Sequence, residues 1–264
     1  MQNTIDIAMN SCFSVYGVAT GLLESGDDIV GRVIAAVEDT EAENIRDYDI
    51  LLFAESPLST TEGRNVRLAD IIPGETAKMF AEKYDIDPRI AEIVIEESDE
   101  ILGGIPGFLL SLRGNLLLPN AGVDVSNAPE GWVTRLPENA DASADRIRKE
   151  IQKRIGKEVA VIIIDSRIHA MRLGVSGVAI GCSGLLPITD ERGKLDLFGH
   201  ELQMTHRAIA DSLASTAELL MGETNEGVPV VLIRGYPYTF AENTPIESIP
   251  PDKDLFLGSL TKNV

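Results

Sequence analysis

The chain has 264 residues, 44% of them hydrophobic and 25% charged, with 42 acidic against 23 basic side chains and a formal net charge of −19 at pH 7. That balance repels a phosphate backbone and excludes nucleic acid as an expected partner, and no apolar run reaches the ~20 residues that a bilayer span needs. Cys12 and Cys182 stand far apart and form neither a metal knuckle nor a redox pair, and MQNTIDIAMNSCFSVYG lacks a secretory pattern, so a cytoplasmic globular protein of one large domain or two joined lobes is expected.

Apolar residues at near-helical spacing predict a helix over 29–37, with Asp27 and Asp28 at its positive end. DYDILLFAES reads as a buried strand ending at Glu55, Ser56 and Pro57, and STTEGR as the polar turn after it. Two helices follow, over 75–84 and 88–97, the second with Asp87 as N-cap and Pro88 at its first position. GFLLSLR and NLLLPN flank Gly114 and Asn115 as a hairpin that delivers the loop NAGVDVSN. A charged helix over 144–155, closed by Gly156, feeds a strand over 159–164. Further strands are expected over 177–182 and 228–233, with a long helix over 201–221 between them that contains His206. This mixture of hairpins and crossovers predicts an α+β fold with mixed sheets, a main domain of two interleaved lobes over 1–235 and a C-terminal tail over 236–264.

Three acids, Asp124, Asp165 and Glu223, stand where buried chain turns into loop, positions from which a rigid element presents a carboxylate at the rim of a fold. Asn120, Asn127 and Ser166 add hard oxygen ligands beside them, and Gly122, Gly222 and Gly227 let backbone approach closely. Together they form a candidate metal site of oxygen ligands, suited to manganese or magnesium; no Cys and His cluster at ligand spacing points to zinc.

The segments NAGVDVSN, IIIDS, GVAIGCSG, DLFGHEL and LLMGETNEG, in that order, with GLLESGDDI and STTEGR before them, resemble the coenzyme F420-0:gamma-glutamyl ligase family over most of the chain. The resemblance implies a two-lobed α+β subunit paired as a homodimer. It also implies use of GTP with Mn2+ or Mg2+, and K+, to join L-glutamate through its amino group to a carboxylate acceptor, F420-0 by default, by way of an acyl phosphate. By motif position it assigns Asp124, Asp165, Ser166 and Glu223 to the metal. It assigns Asn127, the run Met221, Gly222, Glu223, Thr224, Asn225, Glu226, Gly227 and Val228, and the stretch Thr20, Gly21, Leu22 and Leu23 to the nucleotide. No residue is assigned to a catalytic proton transfer.

Three positions depart from the family pattern. Thr60 stands where a lysine precedes EGR, Ser166-Arg167-Ile168-His169 replaces a Thr-x-Gly-Arg run, and His200 replaces an arginine in DLFGHEL. Arg64, Arg167, Arg172, His169 and His200 are the remaining candidates for phosphate or substrate contact. These departures keep two alternatives in view, a family member with a different acceptor and a non-catalytic nucleotide- or metal-binding protein.

Overall fold

The structure is a computed structural model that describes residues 12–114 and 116–260. Asn115 in the turn of the expected hairpin, and residues 1–11 with most of the N-terminal stretch searched for a secretory pattern, lie outside these. The elements run β1 (Ser14–Val18), α1 (Ile29–Glu38), β2 (Ile50–Ala54), α2 (Glu55–Thr61), β3 (Asn65–Arg67), α3 (Glu75–Tyr84), α4 (Pro88–Glu97), β4 (Glu100–Ile105), β5 (Phe108–Arg113), β6 (Leu116–Pro119) and β7 (Trp132–Thr134). They continue as α5 (Ala140–Ile155), β8 (Ala160–Ile168), β9 (Val175–Ser183), β10 (Ile188–Asp190), β11 (His206–Ala208), α6 (Ile209–Met221), β12 (Val230–Arg234) and α7 (Leu257–Leu260). The fold is mixed α+β, and the chain divides into two compact units, residues 1–62 with 137–246 and residues 63–136 with 247–264.

The first unit is built on a five-stranded sheet of order β1-β12-β2-β8-β9. Its one parallel pair is β2 with β8, and every other neighbour is antiparallel. ILLFA in β2 and AVIII in β8 lack the polar alternation of a half-solvated strand because the sheet is covered. The stripe Ile209, Leu213, Ala217 and Met221 of α6 closes over Ile50, Leu52, Ile162 and Ile164, and α5 packs against β8 and β9. Two glycines of β9 set these distances. A Cβ on Gly177 would stand 2.4 Å from the carbonyl oxygen of Ala214 in α6, and one on Gly181 2.3 Å from the carbonyl carbon of Ala140 in α5.

The second unit joins a meander β4-β5-β6, a ribbon β3-β7 and the helix pair α3 and α4 around Ala91, Ile93, Val94, Leu109 and Val133. Buried Ser111 donates from Oγ to the carbonyl of Leu118 (3.1 Å) and accepts from the amide of Ala121 (2.9 Å). That pair of bonds holds the tight turn Asn120–Gly122, which leads the chain to Asp124.

Several expected elements appear at or near their expected bounds: β2, α3, α4 with its Asp87 cap, and the β5/β6 strands. Others differ. Helix α2 covers residues 55–61, so the first half of STTEGR, expected as a polar turn, is helical, because Leu58 and Ser59 are buried. The expected long helix begins only at Ile209, and residues 206–208 are strand β11, paired with β10; His206 is therefore on a strand. Strand β8 runs on to Ile168, so Asp165 and Ser166 lie within it, although burial ends at Ile164.

Candidate functional site

In the first unit, parallel pairing sets Ala54 beside Ile164, so the residues that follow, Glu55 and Asp165, leave the same edge of the sheet. The last turn of α6 and the loop after it bring Glu218 and Glu223 to the same region. Burial pushes the Glu218 carboxyl well above the usual carboxylate range, and hydrogen-bonding contact with Glu223 and the charges of Glu223, Glu55 and Asp165 push it further. Its Oε1 is shut off from solvent with no hydrogen-bond partner. Four carboxylates drawn together against their own repulsion are relieved by protons or by a cation. Their oxygens, with Ser166 next to Asp165, are the donor type of a hard divalent ion. Among the described residues no three His, Cys, Asp or Glu side chains already stand in metal-holding geometry, so a cation would draw these side chains inward.

Glu55 and Glu218 were not singled out from the sequence. Glu55 ends an apolar strand just as Asp165 ends a buried run, so the same signal marked it. Glu218 carries a pattern visible only once α6 is placed, seven residues after Asp211, whose carboxylate accepts from the amide of Ala179 on β9 (3.0 Å).

By strand alternation Asp165 and Arg167 share one face of β8 and Ser166 takes the other. Burial lowers the pKa of Arg167, the charges of Asp165 and Asp211 oppose that shift, and its Nε and Nη2 are enclosed without a hydrogen-bond partner. The hairpin tip beyond it holds His169, with Nε2 2.7 Å from Ser176 Oγ, and Arg172, whose amide donates to the carbonyl of His169 (3.1 Å). His200 is exposed, 3.3 Å from Asp196.

The run after α6 holds its own shape. Glu226 accepts from the amide of Thr224 (2.8 Å) and from its hydroxyl (3.1 Å), Gly222 and Gly227 take left-handed φ values of 69° and 70°, and Met221 is core. Val228 packs against the sheet at Gly17. In the loop after β1, Thr20 is buried, Gly21 has φ 70°, and Leu22 stands exposed.

Asp124 belongs to the second unit. Its backbone forms a two-bond bridge with Thr134 (2.9 and 2.8 Å), and its carboxylate accepts from the amide and hydroxyl of Ser126 (2.8 and 2.7 Å). Asn127 follows at φ 51°, and Asn120 is committed elsewhere, its Oδ1 accepting from the amide of Leu109 (2.8 Å). Arg64, in the same unit, pairs with Glu97 at 2.8 Å and donates to the carbonyl of Leu136. Thus the structure brings Asp165 and Glu223 to one region of the first unit, turns Ser166 to the other face of β8, and places Asp124, Asn127 and Arg64 in the second unit.

The family model described as F420-0:Gamma-glutamyl ligase matches residues 17–235. The chain is 42% identical over 245 residues to a protein of Methanocaldococcus jannaschii named Coenzyme F420:L-glutamate ligase, a match covering 92% of this chain and 96% of that one. A protein of the same name from Methanothermobacter thermautotrophicus is 41% identical over 218 residues, 82% of this chain and 86% of its own. A third, from Methanopyrus kandleri, is 41% identical over 211 residues, 80% and 81% of the two chains.

Proposed function

The chain belongs to the F420-0:Gamma-glutamyl ligase family and is a ligase, and on that premise we propose that it forms an amide between L-glutamate and a carboxylate acceptor, F420-0 by default, using GTP and a divalent cation. The gathering of Glu55, Asp165, Glu218 and Glu223 at one edge of the first unit's sheet carries this reading. A carboxylate is a poor electrophile until it is phosphorylated; the resulting acyl phosphate is open to attack by the glutamate amine.

In this proposal Asp165 and Glu223 hold Mn2+ or Mg2+, Ser166 and Asp124 keep the same role on the strength of their motif positions, and K+ accompanies them. The cation, when bound, neutralises charge on the triphosphate oxygens. Glu218 supplies a further oxygen, its carboxyl raised by burial and then by the acidic neighbours whose repulsion a cation would relieve. Asn127, the run from Met221 to Val228 and the stretch from Thr20 to Leu23 take the nucleotide. Arg64, Arg167, Arg172, His169 and His200 are available to phosphate or substrate.

The test is incubation of the purified protein with GTP, Mn2+, L-glutamate and F420-0, reading phosphate release and glutamylated product together, with ATP in a parallel arm. Both signals should appear, and Asp124→Ala and Asp165→Ala should each abolish them. A different acceptor is the second reading, favoured by Thr60, His169 and His200 standing where family members carry cations. Phosphate release with another carboxylate and none with F420-0 would establish it. GTP binding without turnover on any acceptor would establish the non-catalytic alternative.

A further inference from the structure

The second unit contains a concentration of positive charge that is out of keeping with a chain of net charge −19. Arg64 just before β3, Arg113 at the end of β5 and Arg135 after β7 all converge on Glu97, the last residue of α4. Arg64 Nη2 donates to both carboxylate oxygens (2.9 and 2.8 Å), Arg113 Nη2 stands 3.1 Å from Oε2, and Arg135 Nη1 donates to Oε1 at 3.1 Å. One carboxylate faces three guanidinium groups.

Both oxygens of Glu97 are taken up by these contacts, and the carboxylate cancels only one of the three charges. Asp99, whose carboxylate accepts from the amide of Gly114 (2.6 Å), also lies in the field of Arg113, so two carboxylates stand against three guanidinium groups and one positive charge is left over. Burial lowers the pKa of Arg113, and the like charges of Arg64 and Arg135 add to that shift after the opposing pull of Glu97. Arg135 Nε is enclosed and has no hydrogen-bond partner. The three side chains keep 17–25% of their surface, so the cluster is largely enclosed by the fold and still reached by solvent. A surplus of fixed, partly desolvated guanidinium charge costs stability unless an anion meets it.

We propose that Arg64, Arg113 and Arg135 form a binding site for an oxyanion, a phosphate or carboxylate group of a substrate. Arg135 directly follows Thr134, whose backbone is bridged to that of Asp124, so the site adjoins in sequence and sheet the carboxylate that the family motif assigns to a metal. The planar guanidinium forks suit either anion, and phosphate is the form that a triphosphate-using ligase delivers. The inference thereby deepens the ligase reading and gives Arg113 and Arg135, absent from the motif comparison, a part in it.

The full chain, free of metal and nucleotide, is titrated with inorganic pyrophosphate and, separately, with glutarate, and binding is read by calorimetry and by the rise in Tm. At least one anion should bind, pyrophosphate more tightly if the site takes phosphate and glutarate if it takes carboxylate. Arg135→Met, which leaves the Arg64–Glu97 pair in place, should weaken that binding at least tenfold, and Arg113→Met likewise. Glu97→Gln should tighten it, since a competing negative charge has gone; where that variant does not fold, the two arginine variants decide. No binding of either anion to the parent protein, or unchanged affinity in Arg113→Met and Arg135→Met, would overturn the proposal. Neither titration contains glutamate, acceptor or GTP, so an inactive ligase assay leaves this test standing, and a failed titration leaves the ligase assay standing.

Discussion

Buried ion pairs in this chain differ in how completely they are satisfied, and mutation should expose the difference. Arg234 grips Asp49, which is only 1% exposed, through Nε and Nη2 (2.8 and 2.7 Å), and also donates to the carbonyls of Ala42 and Asn44. Asp49→Ala would leave that guanidinium without its carboxylate, and chemical denaturation should register a loss of about 3–5 kcal/mol. Arg167 is the opposite case, its enclosed Nε and Nη2 having no hydrogen-bond partner although the charges of Asp165 and Asp211 lie near. Arg167→Met should leave stability unchanged or raise it. If the same variant loses more than about tenfold in kcat/KM, the unpaired charge was kept for substrate and not for folding. Asp141 offers a pH test. Its carboxyl is raised by burial, although it accepts from the amides of Cys182 and Ile246. A carboxyl with a raised folded pKa binds its proton more tightly folded than unfolded, so it costs stability progressively as pH rises above the unfolded value of about 3.8 toward the folded one. Asp141→Asn keeps the Oδ1 acceptor and removes the charge, and Tm measured across acid to neutral pH should fall less steeply in it than in the parent.

Helices in the first unit are seated on β9 by absent side chains. Gly177→Ala would drive a methyl into the backbone of α6, and Gly181→Ala into the start of α5. Each should cost about 1–3 kcal/mol or more, read by denaturation. Only Gly177→Ala should also weaken Mn2+ binding, because α6 carries Glu218 and leads to Glu223. This division shows what the sequence could disclose. Caps and apolar runs are local, so β2 and α4 could be delimited from DYDILLFAES and Asp87-Pro88. Strands β10 and β11 escaped notice because HRA has no periodicity of its own and is strand only through its partner ITD. Asp165 and Glu223 were legible as acids beside buried runs. Glu218 was not, because a glutamate on an amphipathic helix looks like ordinary solvated surface until the helix is placed on its sheet. Arg64 was legible as a candidate contact, but its cluster with Arg113 and Arg135 around Glu97 was not, because β3, α4, β5 and β7 have to be placed before the three meet.

Leu197, Phe198 and Met204 of the long β10–β11 connection and Met171 and Leu173 of the β8–β9 tip expose large apolar surfaces within the first unit, candidates for the contact of the homodimer that the family resemblance implies. Leu197→Asp with Phe198→Asp should shift the mass measured by light scattering from two chains to one; an unchanged mass would remove these residues from any dimer contact. Charge acts over the chain as a whole. With 42 acids against 23 bases, long-range repulsion opposes the approach of glutamate and of a triphosphate alike. The Debye length shrinks from about 30 Å at 0.01 M salt to about 8 Å at 0.15 M, so added salt screens that repulsion before it reaches pairs held at contact distance. The KM for glutamate should therefore fall as ionic strength rises through this range, whereas an enzyme that steers anions by a net positive surface shows the reverse. A KM that rises with salt would mean that a local positive region, such as the one around Glu97, governs substrate capture in spite of the total charge. The Arg135→Met variant separates these cases, since it should abolish a rise that originates at that cluster and leave a fall due to global screening untouched.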